Sequence, residues 1–268
     1  MSAVSISLAS EAVGHVGGFE IRNTMLMAWL TVFVLFLFGL LVRSTKYQII
    51  PGRLQTAMEL VISGLYDLFA SVVQDERLSR KFFPLIATIF IFIVLGNWLG
   101  IMPGVGSITI LGMHEGHEMA IPLFRSMNAD VNMTLAIAII AIAAVQFYGV
   151  FELGASGYGS KFFVAPWKNP VKTFVGLLEL ISEFSRIISF TFRLFGNIFA
   201  GEVLLVVISS LVAYIAPLPF LGLELFVGFI QALVFALLTL VFIKMATTAH
   251  GGHEEHGEGA HGHQAAET

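Results

Sequence analysis

The sequence contains no cysteine and very little charge. Lys, Arg, Asp and Glu make up only 12% of its 268 residues, whereas ordinary soluble domains carry about 25%. The absence of cysteine excludes disulfides, thiolate metal sites and a cysteine nucleophile. The scarcity of charge, together with 57% hydrophobic residues, indicates that lipid rather than water surrounds most of the chain.

Motifs of soluble enzymes are missing as well. The chain has no Walker loop and no dinucleotide-binding fingerprint, so we do not expect it to hydrolyse ATP or to be an enzyme on its own. The runs 114–117 (HEGH) and 253–256 (HEEH) are each one residue too short for the HExxH zinc motif. We therefore expect no metal site, no cofactor and no nucleic-acid partner.

Long apolar runs predict an all-α integral membrane protein. A spanning helix needs about 20 apolar residues. Five runs are long enough, at residues 25–42, 82–102, 131–151, 173–213 and 218–246. We expect about five membrane helices in a single membrane domain over 25–248. An external segment (1–24) precedes it, and a flexible cytoplasmic tail (249–268) rich in His, Glu and Gly follows it.

Segment 54–75 has a different pattern. Gln55, Glu59 and Asp67 lie on one side of a helix here, and apolar residues recur at helical spacing on the other. The apolar residues are Leu54, Met58, Val61, Leu65, Leu68 and Val72. This arrangement favours an interfacial amphipathic helix that lies on the membrane surface.

The distribution of Lys and Arg orients the helices. With the N-terminus outside and five crossings, only Arg22 and Arg125 fall in outer segments. The inner loops and ends hold Arg43, Lys46, Arg53, Arg77, Arg80, Lys81, Lys161, Lys168, Lys172 and Lys244. Because cytoplasmic loops are enriched in Lys and Arg, we expect an external N-terminus and a cytoplasmic C-terminus.

The last two apolar runs are longer than a membrane requires. A helix over the 41 residues of 173–213 would be about 60 Å long, about twice the hydrocarbon thickness. It must either break into two helices or lie strongly tilted, shielded by other protein. Segment 218–246 could lie antiparallel to it, with Pro217 and Pro219 in the turn, as a hairpin of two strongly tilted or horizontal helices.

Arg193 is the most informative polar residue in this hairpin. Glu179, Arg186 and Arg193 are spaced by seven and share one face of a helix. Arg186 can pair with Glu183 three residues before it, but Arg193 has no acidic residue at three or four positions in either direction. An arginine stays charged, so we expect the counter-charge of Arg193 on another helix or another subunit.

Two carboxylates in the same hairpin predict a different kind of site. Glu202 stands nine residues after Arg193, which places it on the opposite side of the helix at about 100° per residue. Glu224 and Gln231 share a face of the last helix. Buried carboxylates can alternate between protonated and ionised forms, so Glu202 and Glu224, with Asn197 and Gln231 nearby, suit a path for protons or small cations. A satisfied hydrogen-bond network is the structural alternative.

The run 192–202 (FRLFGNIFAGE) closely resembles the signature of subunit a of F-type ATP synthases. Glu179 and Ser189 stand where that family has a glutamate and a serine, and Gln231 matches the glutamine of its final helix. Weaker matches are Asp130-Val131-Asn132 and Asn97-Trp98. The resemblance covers residues 80–248.

The resemblance implies a stator subunit packed against a ring of c subunits, each with one essential carboxylate, and attached to a b-type stalk in a bacterial plasma or inner membrane. Arg193 would face the ring carboxylate. Two aqueous half-channels would be lined by Glu202, Glu224, Asn197 and Gln231, and the proton path would include Ser189 and Glu179. Three small residues on the ring-facing surface would allow the ring to approach closely. They are Gly196, Ala200 and Gly201.

Two positions depart from common family patterns. Many members have a glutamate and a histidine where this chain has Glu202 and Glu224, so two carboxylates with coupled titration are expected here. Gly100 stands where some bacterial relatives carry an aspartate. A secondary cation or proton transporter is the main alternative function, but it predicts internal repeats or paired broken helices, and neither is evident. An intramembrane protease would need a zinc motif or a catalytic dyad in the spans, which are also missing.

Overall fold

The computed structural model describes residues 10–44, 52–102, 104–114, 117–159, 170–212 and 215–248. Within them, six helices are long and apolar enough to cross a membrane. They are α1 (Asn23–Ser44), α2 (Arg53–Val73), α3 (Glu76–Ile101), α4 (Val131–Gly159), α5 (Pro170–Leu211) and α6 (Pro217–Thr247). The prediction of an all-α integral membrane protein is confirmed. The predicted tail, 249–268, lies outside the described residues.

The second helix, α2, is the segment expected on the membrane surface. Length and composition alone also qualify it as a span, over Gln55–Val73. Its end is anchored, because Phe69 and Val73 are buried and Lys244 of α6 donates a hydrogen bond to the Val72 carbonyl at 3.1 Å. Earlier in the helix Val61 is exposed. The surface position of α2 stays a prediction.

Local sequence explains where several helices begin and bend. Asp75 caps α3, because its side chain accepts a hydrogen bond from the amide of Leu78 at 3.1 Å. Pro217 opens α6, where the missing amide hydrogen of a proline costs nothing. Gly154 interrupts α4 with φ 75° and ψ 155°, a conformation that favours glycine.

Two short hairpins, which the sequence analysis did not predict, accompany the helices. The strands β1 (Ala12–Val16) and β2 (Phe19–Arg22) pair antiparallel, and so do β3 (Thr109–His114) and β4 (His117–Pro122). The turn between β1 and β2 is made by Gly17 and Gly18, both with positive φ. The first hairpin lies in the N-terminal segment before α1, and the second lies in the connection between α3 and α4.

The core lies around α6, which packs against α2, α3, α4 and α5. Its inward residues are almost fully buried, among them Ala232, Phe235, Ala236, Leu240 and Ile243. Phe235 and Phe242 both contact the ring of Phe190 on α5. At the edge of this core, an ion pair between Lys81 and Glu152 joins α3 to α4.

The long segment before Pro217 forms one uninterrupted helix of 42 residues. At about 1.5 Å per residue, α5 is about 63 Å long. Of the two alternatives left by the sequence, a break into two helices is therefore excluded. A helix of this length fits a hydrocarbon layer of about 30 Å only when strongly tilted, and that tilt remains a prediction.

Candidate functional site

Arg193 lies on an exposed face of α5 and has no acidic partner among the described residues. Its one hydrogen bond within the described part of the chain runs from Nη2 to the Ser189 hydroxyl oxygen, at 3.3 Å. Both side chains are exposed. A guanidinium keeps its charge at any physiological pH, so this face of α5 presents an uncompensated positive charge.

The surroundings of Arg193 are mostly apolar. Besides Ser185, Ser189 and Asn197, the exposed side chains along the same stretch of α5 are Phe184, Ile188, Phe192, Ala200, Leu204 and Val207. The opposite side of the helix is buried, with Leu194 and Ile198 almost inaccessible. The charge of Arg193 therefore stands in a mostly apolar strip that nothing in the described chain covers.

Asn197 and Gln231 link α5 to α6 one turn beyond Arg193. The Asn197 amide donates a hydrogen bond to Gln231 Oε1 at 2.5 Å. Gln231 is buried and its Nε2 has no hydrogen-bond partner among the described residues. The structure thus brings together two of the predicted path residues and leaves one buried polar group available to a further partner.

Glu202 pairs with an arginine that the sequence analysis assigned to an outer loop. Arg125 Nε lies 2.9 Å from Glu202 Oε1, and the Arg125 side chain is only 8% exposed. The guanidinium also lies 6.0 Å from the ring centre of Phe199, within range of a cation–π interaction. Glu202 Oε2 is buried and has no hydrogen-bond partner in the described chain.

Glu224 reaches α5 at the glycine next to Glu202. A Cβ added to Gly201 would lie 2.8 Å from Glu224 Oε1 and 2.9 Å from its carboxyl carbon, so only glycine leaves room for this carboxylate. Glu224 is 6% exposed and its Oε2 has no hydrogen-bond partner among the described residues. The cluster of Arg125, Glu202 and Glu224 is called the outer cluster below.

The position of Gly201 differs from the expectation that it faces a ring. Its open side points at Glu224 of α6, within the chain itself. Gly196 has open space where a Cβ would stand, and Ala200 is exposed. The difference arises because α5 turns about 100° per residue, so that adjacent small residues at 200 and 201 cannot share one face.

A second chain of polar contacts adjoins the outer cluster from α3. Asn97 is fully buried and donates a hydrogen bond to the Gly228 carbonyl of α6 at 2.9 Å, while it accepts one from Asn128 at 2.7 Å. Next to it, the indole of Trp98 donates to the Leu225 carbonyl at 3.1 Å. The weak sequence match at Asn97-Trp98 thus marks where α3 is hydrogen-bonded to α6.

The first half of α5 carries its own charged cluster. Arg186 forms an ion pair with Glu183 and a longer one, 3.8 Å, with Glu179. The guanidinium also stacks over Phe242 of α6 at 4.6 Å. The pairing of Glu183 with Arg186 predicted from spacing is confirmed, and Glu179 is the less tightly held carboxylate. These three residues are called the inner cluster below.

Asp130, just before α4, ties the N-terminal segment to the helices. Its Oδ2 accepts hydrogen bonds from the Ser10 and Thr24 hydroxyls at 2.6 and 2.9 Å. Its Oδ1 accepts one from the backbone N–H of Asn132 at 2.9 Å. Burial alone would raise the pKa of Asp130, but these hydrogen bonds and the charge of Arg22 lower it below the usual 3.8. Asp130 is therefore an ionised anchor.

Sequence reasoning missed Arg125, Asn128 and the anchoring role of Asp130. Arg125 was one of only two basic residues assigned outside, and it stands five positions before Asp130. That proximity to a matched motif was the available signal. No local spacing could reveal its partner, because Glu202 is 77 positions away.

Known proteins resemble this chain over most of its length. The family model described as ATP synthase A chain matches residues 25–244. ATP synthase subunit a of Campylobacter jejuni is 34% identical over 209 residues, which cover 77% of this chain and 82% of the relative. The subunit a of Desulfotalea psychrophila is 37% identical, over 83% of each chain, and that of Gloeobacter violaceus is 36% identical, over 86% of each.

Proposed function

The chain belongs to the ATP synthase A chain family, and we propose that it is the stator half of a rotary membrane motor. It is an integral membrane protein of ATP synthesis and proton transport. In this proposal, proton flow past Arg193 turns a ring of c subunits, and a b-type stalk holds the chain in place. The chain acts as a subunit of that complex and not as an enzyme on its own.

The observation that carries this proposal is that Arg193 lies in an exposed, mostly apolar strip and has no acidic partner in the described part of the chain. A charge on a membrane-facing surface is costly unless another protein covers it and supplies an anion. The ring of c subunits provides both, since each subunit brings one carboxylate to the surface that passes Arg193. Gly196 and Ala200 support close approach, because neither has a side chain that would stand in the way.

Arg193 then acts by electrostatics alone. A ring carboxylate that faces lipid is neutral, and next to Arg193 its ionised form is favoured, so its proton leaves. The same positive charge repels protons and prevents a direct leak between the two sides of the membrane. Each proton that crosses 100 mV releases about 2.3 kcal/mol, which becomes available to rotation.

Two half-channels deliver and remove the proton on opposite sides of Arg193. The outer one is lined by Glu202, Glu224, Asn197 and Gln231. The inner one uses Ser189 and Glu179. Support comes from the placement of Glu202 and Glu179 along the single helix α5. At about 1.5 Å per residue, Glu202 lies about 13 Å from Arg193 in one direction and Glu179 about 21 Å in the other.

The distribution of basic residues indicates which half-channel opens to which side of the membrane. Arg125 belongs to the outer cluster, whereas Arg77, Arg80 and Lys81 begin α3 at its other end. Lys244, at the end of α6, contacts the end of α2 at that same side. Since Lys and Arg accumulate on the cytoplasmic side, the N-terminus is external and the C-terminus cytoplasmic, in a bacterial plasma or inner membrane.

The direct test replaces Arg193 in the assembled complex. The Arg193→Ala variant is expected to abolish ATP-driven proton pumping in inverted membrane vesicles. The matched control is Arg80→Ala, which removes an exposed arginine paired with Glu76 on the surface of α3 and is expected to pump normally. The chain is also expected to copurify with a c-ring and a b-type stalk. Normal pumping by Arg193→Ala would overturn the proposal.

A further inference from the structure

We propose that Arg125 is a positioning residue that holds Glu202 ionised, so that Glu224 alone takes up and releases protons in the outer cluster. This inference deepens the proposed function and rests on it. The sequence alone does not distinguish the roles of the two glutamates. The geometry assigns them different tasks.

The fixed charge of Arg125 is directed at only one of the two carboxylates. Its Nε donates to Glu202 Oε1 at 2.9 Å from a side chain that is 8% exposed. The guanidinium also lies within cation–π range of Phe199, one turn before Glu202 on α5. Because arginine does not lose its proton and Coulomb attraction is strong away from water, this contact favours the ionised form of Glu202.

No described residue places a comparable positive charge beside Glu224. It is buried against the backbone of α5 at Gly201 and forms no ion pair with any described residue. A buried carboxylate without a counter-charge is costly to ionise, and the negative charge of Glu202 adds to that cost. Glu224 therefore holds a proton readily, and it can also give one up to a stronger acceptor such as an approaching ring carboxylate.

The other charged groups near this cluster do not change the assignment. Glu11, just before β1, interacts electrostatically with Glu202, and its Oε2 is buried without a hydrogen-bond partner among the described residues. Asp130 and Arg22 are already joined through Ser10. Between the two carboxylates of the outer cluster, the described ion pair of Arg125 is with Glu202.

A distinctive prediction concerns the pair of Arg125 and Glu202. If Glu202 only balances Arg125, the Glu202→Gln variant fails because it leaves a buried positive charge beside Glu224, which repels protons. Removing both charges in an Arg125→Gln/Glu202→Gln variant then relieves the defect. If Glu202 itself carried protons, the double variant would conduct no better than Glu202→Gln.

The experiment measures passive proton conductance against external pH, in vesicles that contain the complete membrane sector. Glu202→Gln is expected to lose at least tenfold in conductance, and the double variant is expected to recover at least tenfold over it. Glu224→Gln is expected to be inactive with or without Arg125. Arg125→Gln is expected to give a broader, two-step pH dependence because Glu202 then titrates, whereas Arg125→Lys keeps a single step.

Several results would overturn the inference. They are a double variant as inactive as Glu202→Gln, a conducting Glu224→Gln, or equal pH profiles for Arg125→Gln and Arg125→Lys. A double variant that fails to assemble with the c-ring would also count against it, since the pair would then be needed for folding. The Glu76→Gln/Arg80→Gln variant, which removes an exposed pair, is the matched control. Arg193→Ala separates the two proposals, because its normal pumping would overturn the proposed function itself.

Discussion

Asn197 and Gln231, 34 positions apart in the chain, are joined by a hydrogen bond of 2.5 Å between α5 and α6. The contact begins at an exposed residue one turn from Arg193 and ends at a buried one. It is therefore a polar bridge from the surface proposed to face the ring into the interior of the chain. Its neighbours in the interior are apolar residues such as Ala232 and Phe235.

This bridge should be measurable as a coupling energy. We expect Asn197→Ala and Gln231→Ala to be non-additive by about 0.6 kcal/mol, the typical value for hydrogen bonds between membrane helices. The measurement is a double-mutant cycle on the free energy of unfolding, by SDS titration in mixed micelles. Asn197→Ala combined with Asn97→Ala serves as the control, because these residues belong to separate contacts and should add. A coupling of zero in the first pair would contradict the bridge.

Gly196 and Gly201 of α5 should respond differently to the same substitution. Gly201→Ala is expected to destabilise the isolated chain by about 1–3 kcal/mol, because its Cβ would meet the Glu224 carboxylate. Gly196→Ala should leave the isolated chain unchanged, because nothing lies within 4 Å of the added carbon. In the assembled complex Gly196→Ala should instead weaken retention of the c-ring. Thermal unfolding of the purified chain and copurification of the ring separate the two effects, and equal behaviour of both variants would contradict the assignment.

The anchor at Asp130 predicts a pH dependence. The folded pKa of Asp130 is lowered below 3.8, so the stabilisation it provides is complete above that value and is lost as the pH falls through the lower, folded pKa. Hydrogen exchange at the amides of β1 and β2, corrected for its intrinsic pH dependence, should therefore accelerate only in strong acid. The Asp130→Asn variant should lose about 1.5 kcal/mol of this protection at neutral pH. Unchanged exchange in that variant would exclude the anchor.

The inner cluster predicts unequal roles for its two acids. Glu183→Gln should destabilise the chain by up to about 3 kcal/mol, because Arg186 is mostly buried and loses its nearest counter-charge. Glu179→Gln should cost less, because its contact with Arg186 is 3.8 Å long. The matched control is Glu76→Gln, which breaks an exposed pair at the same kind of helical spacing and should cost less than about 0.5 kcal/mol. The free energies of unfolding, again by SDS titration, decide the order.

The sequence predicted the features that depend on local spacing. The apolar runs predicted the membrane fold, and the lack of an acid at helical spacing from Arg193 predicted that its counter-charge does not come from a neighbouring turn of the same helix. The spacing of Glu183 and Arg186 predicted their ion pair. These predictions work because a helix places residues three, four and seven positions apart on known faces.

The features that depend on tertiary contacts could not be predicted. Arg125 looked like an ordinary loop residue, because the loop that carries it folds back to α5 only in three dimensions. Gly201 looked like part of a small-residue surface, because a glycine suits both a neighbouring subunit and a side chain of its own protein. The short hairpins were missed because they are only four to six residues per strand, too short for a clear alternating pattern.

The continuity of α5 limits which changes in chain length this protein can tolerate. The inner cluster, Arg193 and Glu202 are all carried by one helix without a bend or loop to absorb an insertion. One residue added between Arg193 and Glu202 would rotate everything after it by about 100° and shift it by about 1.5 Å. Glu202 would then turn away from Arg125 while Arg193 kept its place. Homologous sequences should therefore vary in residue type along this stretch but not in the number of residues, and insertions or deletions should be confined to the loops.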